Sequence, residues 1–378
     1  MLRRLSLGLV GLSLAAAVAA CNSNDTTLNG GLGIGPNFPS LTLYAANSSQ
    51  NAVSIYPPAT ASGSGPAFQI GGSNTTLDGP QYIAVDSTND LWITNYDAGT
   101  SASSVVEIKA LATGNVFPFG GFTFSQMGRV RGIAIDAGSG ATAVATVFAG
   151  TTLPGLPSQV QVYVGGSAGG TSPSLILSGP STGLNVPSGV LYDKNDALWV
   201  TNLQGASVEK FVFPTPSPTP SGSPSPTPTA SPTPTPTPSP TATPIGPTPT
   251  PVPTATPSIY TDLAPATVIS GASTGLVNPT GIAMDAALDI YVSDAGAKSV
   301  FVFAPAATGN VAPIRTIAGA LTGFVSPSDV KVDKNGLIYV ADPGAGKIFV
   351  FAANASGNVA PTATYTSPGT LVGIGITS

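Results

Sequence analysis

Aspartate recurs at 86, 136, 193, 285 and 333, and an Asn or Asp recurs at 47, 95, 202, 294 and 342. Carboxylate and amide oxygens gathered from several such positions make the ligand set of a hard cation such as calcium. The same residues, each at the end of a strand before a polar turn, can instead accept the backbone N–H groups of that turn. The second reading is favoured here, because each Asp of the first series follows a short apolar run and precedes turn residues. The only glutamates, Glu107 and Glu209, stand beside Lys109 and Lys210 and are expected as solvated charges at strand outer edges. Histidine is absent and Cys21 is the one cysteine. His general bases, Ser-His-Asp triads, Cys-His dyads, intrachain disulfides and Cys/His zinc sites are thereby excluded. No metal and no cofactor is expected.

One region departs from the repetition and supplies the candidate ligand site. Arg129 and Arg131 replace a proline opening, Phe122, Phe124 and Met127 precede them, and a long loop over 150–157 carries Leu153 and Leu156. Two guanidinium groups beside aromatic rings can hold an anionic sugar or a peptide carboxylate. The candidate ligand-binding residues are therefore Phe122, Phe124, Arg129, Arg131, Leu153 and Leu156. The plainer alternative is a drifted repeat whose phenylalanines pack between neighbouring sheets. Trp92 and Trp199 occupy equivalent positions and are expected in the core.

The chain around these residues has 378 residues, of which 8% are charged and 42% hydrophobic, with 45 Gly and 38 Pro. This composition suits a turn-rich all-β protein more than a helical enzyme. Residues 1–20 read as a leader: Arg3 and Arg4 precede an apolar stretch over 5–20 that is too short for a membrane span. Val18-Ala19-Ala20-Cys21 resembles a bacterial lipobox. That resemblance implies cleavage before Cys21, a lipid on its thiol, and membrane attachment through that lipid in the cell envelope, facing the periplasm or the exterior. Losing two of 12 Lys+Arg against 17 Asp+Glu makes the remainder more acidic than the chain's −5, which disfavours nucleic acid as a partner.

Residues 21–40 read as a flexible tether. A second low-complexity stretch over 214–258 holds 18 Pro and 13 Thr in 45 residues, which prevents both helix and ladder pairing. It is expected as a disordered, extended insertion, with a contour on the order of 140 Å at about 3.1 Å per residue.

Five segments share one pattern, seen most fully in Pro279-Thr-Gly-Ile-Ala-Met-Asp285 followed by Ile290-Tyr-Val-Ser-Asp294 and Phe301-Val-Phe303. Its relatives open at Pro80, Val130, Pro187 and Pro327. The aspartates are spaced 50, 57, 92 and 48 residues apart, and the 45-residue tract accounts for the excess in the 92. The tract therefore interrupts one repeat and does not separate two domains. Each unit reads as a four-stranded antiparallel meander whose middle strands are apolar on both faces, as in sheets stacked around an axis.

The pattern resembles the NHL repeat, with its Pro-x-Gly-Ile-Ala-Val-Asp opening and Ile-Tyr-Val-Ala-Asp centre. The resemblance implies a six-bladed β-propeller over 41–378, since what remains divides into six units of the observed spacing and seven would be shorter than it. Leu41-Thr-Leu-Tyr-Ala-Ala-Asn47 looks like a second strand lacking its first, and Gly373-Ile-Gly-Ile376 like an orphan first strand. Pairing the two would close the ring. The tether and the Pro tract then share a face, leaving the opposite one free for a protein or glycan ligand. NHL-like lactonases and gluconolactonases place a Glu with Asn and Asp around an axial metal, and streptogramin lyases use histidine. Glu107 and Glu209 are wrongly placed for the first and histidine is absent for the second. A non-catalytic binding or scaffold protein is the favoured expectation, with a metal-dependent propeller hydrolase or lyase as the alternative.

Overall fold

The computed structural model describes residues 41–57, 62–97, 102–124, 129–137, 142–147, 158–163, 173–213 and 259–377. Contacts divide the chain into residues 1–32 and 33–378, and every described residue belongs to the second unit. The leader, the tether, Cys21 and the Pro tract lie outside the described residues.

The described strands form six sheets. Around the ring their innermost strands are Leu371–Ile376, Pro80–Val85, Arg129–Ile135, Pro187–Tyr192, Pro279–Met284 and Asp329–Val332, and each packs against the innermost strand of the next in a closed circle. This is a β-propeller arrangement. Valine, isoleucine and phenylalanine alternate with residues that face the neighbouring sheet, so Ile290–Asp294, Ser299–Phe303 and Ile338–Asp342 are buried throughout. Such two-faced burial explains the continuous apolar runs.

Five sheets are regular four-stranded meanders, not the six predicted. The sheet begun by Arg129–Ile135 carries a fifth strand, Ile259–Thr261, paired in parallel with Leu175–Leu177. The cause lies in a contact that recurs between sheets. Isolated parallel bridges join Ile70 to Gly114, Ile269 to Gly309 and Ile317 to Gly357, each linking the outermost strand of one sheet to a turn of the next. Ile259–Thr261 is a lengthened version of that bridge. The side chain that follows it behaves as its counterparts do. Asp262 Oδ1 accepts from Ser181 N at 2.7 Å, as Asn310 Oδ1 does from Ser273 N at 2.7 Å and Asn358 Oδ1 from Leu321 N at 2.7 Å. The extra strand is thus a clip that belongs to the following repeat.

In sequence the Pro tract falls between Ser207–Phe211 and Thr267–Ser270, which pair with each other. Leu41 and Phe213, the described residues that flank the tether and the tract, lie at the same end of the strands.

The first and last described strands meet as well. Leu43–Asn47 pairs antiparallel with Leu371–Ile376 on one side and Ala52–Tyr56 on the other. Thr377 takes the place that aspartate holds elsewhere: Thr42 N donates to Thr377 Oγ1 at 2.7 Å, and Thr377 N to Thr42 O at 3.0 Å.

Candidate functional site

The repeated aspartates are committed to structure. Asp193 Oδ1 accepts from Asn195 N at 2.9 Å and Ala197 N at 3.2 Å, and its Oδ2 from Trp199 Nε1 at 3.0 Å and Lys210 Nζ at 2.9 Å. Asp86 does the same with Thr88, Asp90 and Trp92. In the next two units tyrosine replaces tryptophan, with Tyr291 donating to Asp285 at 2.9 Å and Tyr339 to Asp333 at 3.3 Å. Burial pushes the Asp86 and Asp193 carboxyls up, but the indole and the other donors outweigh it and hold both below the usual carboxylate range. The aromatic partner six residues after each Asp was not anticipated. Its signal was the constant spacing of a donor-bearing ring, broken only where Thr142 follows Asp136.

The second series is buried under the connection that precedes each innermost strand. Asp294 accepts from Val277 N, Asn278 N and Ala297 N at 2.8 to 2.9 Å, and Asp342 repeats the set with Val325, Ser326 and Ala345. Among the described residues no three His, Cys, Asp or Glu side chains come together as a metal site.

The glutamates are not solvated; both are 4% exposed. Glu209 occupies the strand position of Phe301 and Phe349, facing inward, which is why burial pushes its carboxyl up despite the nearby Asn202 and Ser207. Glu107 faces Trp92 across the ladder and accepts from Lys109 Nζ at 3.1 Å. Neither reaches the axis.

Glycine sets how closely the innermost strands approach around that axis. A Cβ on Gly132 would lie 2.3 Å from Ser188 O, one on Gly189 2.6 Å from Thr280 O, and one on Gly281 2.6 Å from the Asp329 Cα. Tyr82 and Asp329 stand at the corresponding positions of their own strands, and both are buried. Beyond this constriction lies a cavity of about 210 Å³, lined by residues 83–85, 133–135, 190–192, 282–284, 331–332 and 375–376 from all six innermost strands. Its walls are Ile, Val, Ala, Leu, Met, Gly and Tyr192, with Lys331 as the one charge, and Lys331 Nζ is held at 2.8 Å by Asp329.

On the other side of the constriction the axis is polar. Arg131 is half-buried and its Nε is buried without a partner; the fully buried Ser188 Oγ has the Tyr82 phenol beside it. Burial pushes the Tyr82 phenol up, with Arg131 opposing and Asp329 adding to the rise. Arg129 is exposed, donates to Gln81 Oε1 at 3.0 Å and stands 6.0 Å from the Tyr96 ring centre.

Of the six predicted ligand residues, the structure brings Arg129 and Arg131 together at this mouth. Phe122 is buried between sheets, with its ring 4.5 Å from that of Tyr163. Phe124 is a strand residue paired with Ser103, and Leu153 and Leu156 lie outside the described residues. Sequence reasoning missed Tyr82 and Ser188; the tyrosine's replacement of a repeated glycine was the available signal.

No protein-family model matches the chain. No curated protein is similar to it in sequence. Solved structures are similar in fold. A protein of unknown function from Bacteroides caccae superposes with a TM-score of 0.55 at 10% identity, covering 90% of this chain and 99% of the other. The periplasmic gluconolactonase of Pseudomonas aeruginosa gives 0.52 at 10% identity over the same shares. A Lactobacillus plantarum protein gives 0.50 at 11% identity, again over 90% and 99%. These neighbours are β-propellers, and at such identity they carry the fold alone.

Proposed function

We propose that this chain is a lipid-anchored, extracytoplasmic β-propeller of NHL type that binds a protein or glycan partner without catalysing a reaction. In this reading the clipped sheet is a sixth blade, and Cys21 carries the lipid that holds the protein in a bacterial cell envelope. The observation that supports a binding role is the lining of the axis. Metal-assisted hydrolysis or elimination needs several carboxylate, amide or imidazole groups converging on one point. Here all six innermost strands turn aliphatic side chains into the axial cavity, and its single cation is paired with Asp329. The mouth on the other side is polar and lies on the face away from Leu41 and Phe213, which suits a partner approaching from the side opposite the tether.

Two measurements test the reading. Mass spectrometry of the membrane fraction should find the mature chain beginning at a diacylated Cys21; an unmodified secreted chain overturns the anchor. Elemental analysis of the purified protein should find divalent metal well below one equivalent. A stoichiometric metal whose removal abolishes turnover of a lactone would establish the hydrolase alternative instead.

A further inference from the structure

We infer that the polar axial mouth is a carboxylate site, in which Arg131 and Ser188 donate to the ligand's carboxylate and Arg129 stands at the rim. The inference rests on the binding reading above and deepens it by naming the chemistry bound.

Buried donors are almost always satisfied, so an unsatisfied guanidinium Nε beside the axis needs an explanation. Arg131 Nε is buried and partnerless among the described residues, and Ser188 Oγ, also buried, has the Tyr82 phenol beside it. Arg131 and Ser188 come from adjacent innermost strands, held close by Gly132, whose missing side chain lets the strand lie against Ser188. Burial pushes the Arg131 guanidinium down, Tyr82 opposes that, and Arg129 adds to it, so a second cation has been placed beside a poorly solvated first. The carboxylate on this side, Asp329, does not serve as counter-ion to Arg131. Its Oδ1 accepts from Lys331 Nζ at 2.8 Å and Val330 N at 2.9 Å, and its Oδ2 from Ile374 N at 3.0 Å. Among the described residues neither Arg129 nor Arg131 has an acid partner, and in a chain of net charge −5 two such cations mark a place where an external anion would complete the electrostatics. A planar carboxylate matches the edge of a guanidinium, with one oxygen on Nε and the other on a terminal nitrogen, and leaves a lone pair for the serine hydroxyl.

Two sources present that chemistry, a sugar acid and a peptide C-terminus. Isothermal titration of the full-length chain in detergent, at low salt, separates them. The probes are D-glucuronate against D-glucose, and acetyl-trialanine against its C-terminal amide. One acid should bind and its neutral counterpart should not, and Arg131→Gln should weaken that binding about tenfold or more. Arg129→Gln, at the rim, should weaken it only about two- to fivefold at low salt. Without ligand, Arg131→Gln should melt at or above the wild-type temperature, since no internal partner is lost. If that variant does not fold, Ser188→Ala provides the same test and should weaken binding several-fold with no loss of melting temperature. Failure of both acids, equal binding by wild type and Arg131→Gln, or equal binding of inorganic phosphate overturns the carboxylate site. A partner captured equally by wild type and Arg131→Gln also overturns it while leaving the broader binding role standing.

Discussion

At Asp193, four donors converge on one carboxylate, and removing it strands the Trp199 indole and the Lys210 ammonium together. Asp193→Ala should therefore lower unfolding stability by about 2–4 kcal/mol in a urea titration at pH 7. Because the Asp193 carboxyl is held below its ordinary value, its contribution is present above the unfolded value of 3.8 and fades as pH falls through the folded one, so the mutational difference should shrink in strong acid. Glu209 has the opposite sign. Its folded carboxyl is raised above 4.5, so the native state holds the proton more tightly and this residue costs stability as pH rises above that value. Glu209→Gln should raise the melting temperature at pH 7 and lessen the difference between pH 5 and pH 7; an unchanged profile would falsify the burial argument. The turn-binding role of the aspartates was legible because the same residue closes each apolar run. The burial of Glu209 was misread from its neighbour Lys210, although alignment with Phe301 and Phe349 places it on the inward side.

At the level of elements, the meanders were legible from turn residues and from apolar runs ending in Asn or Asp. The clip Ile259–Thr261 was not. Three residues between a Pro-Thr tract and the next apolar run carry no repeat signal, and a parallel contact between separate repeats leaves no periodicity inside either one. The clip gives the insertion a structural boundary. Replacing 214–258 by a short Gly-containing turn, with Ile259 to Asp262 retained, should leave the cooperative melt intact, changing loop-closure entropy by only about a kcal/mol. Extending the deletion through Asp262 removes three ladder pairs and the Asp262 bonds to Ser181, and should cost about 1–3 kcal/mol more. Differential scanning calorimetry of the two deletions distinguishes the clip from the tract; equal melting would show the clip to be idle.

For the whole molecule, closure depends on a strand borrowed from the other end of the chain. Truncation after Thr370 removes Leu371 and Ile374, both buried, and exposes the ladder edge of Leu43–Asn47. At about 1.5–3 kcal/mol for each buried aliphatic side chain, plus the lost ladder, the damage is comparable with a net stability of about 5–15 kcal/mol. The truncated chain should aggregate or melt without cooperativity by circular dichroism, whereas deletion of 22–40 should not change the melt. The closing pair was legible because half a repeat stands at each end. The polar side of the axis was legible only in Arg129 and Arg131, because Tyr82 and Ser188 come from two other repeats and no single repeat displays the cluster. The same seam also fixes an order in time. Leu43–Asn47 leaves the ribosome before any of the other five sheets, and its inner partner Leu371–Ile376 leaves only after all of them. Until Leu371–Ile376 emerges, the growing chain carries an open edge at Leu43–Asn47. Closure of the native ring therefore waits for Leu371–Ile376, and a chaperone acting on this protein has to shield Leu43–Asn47 until Ile376 arrives.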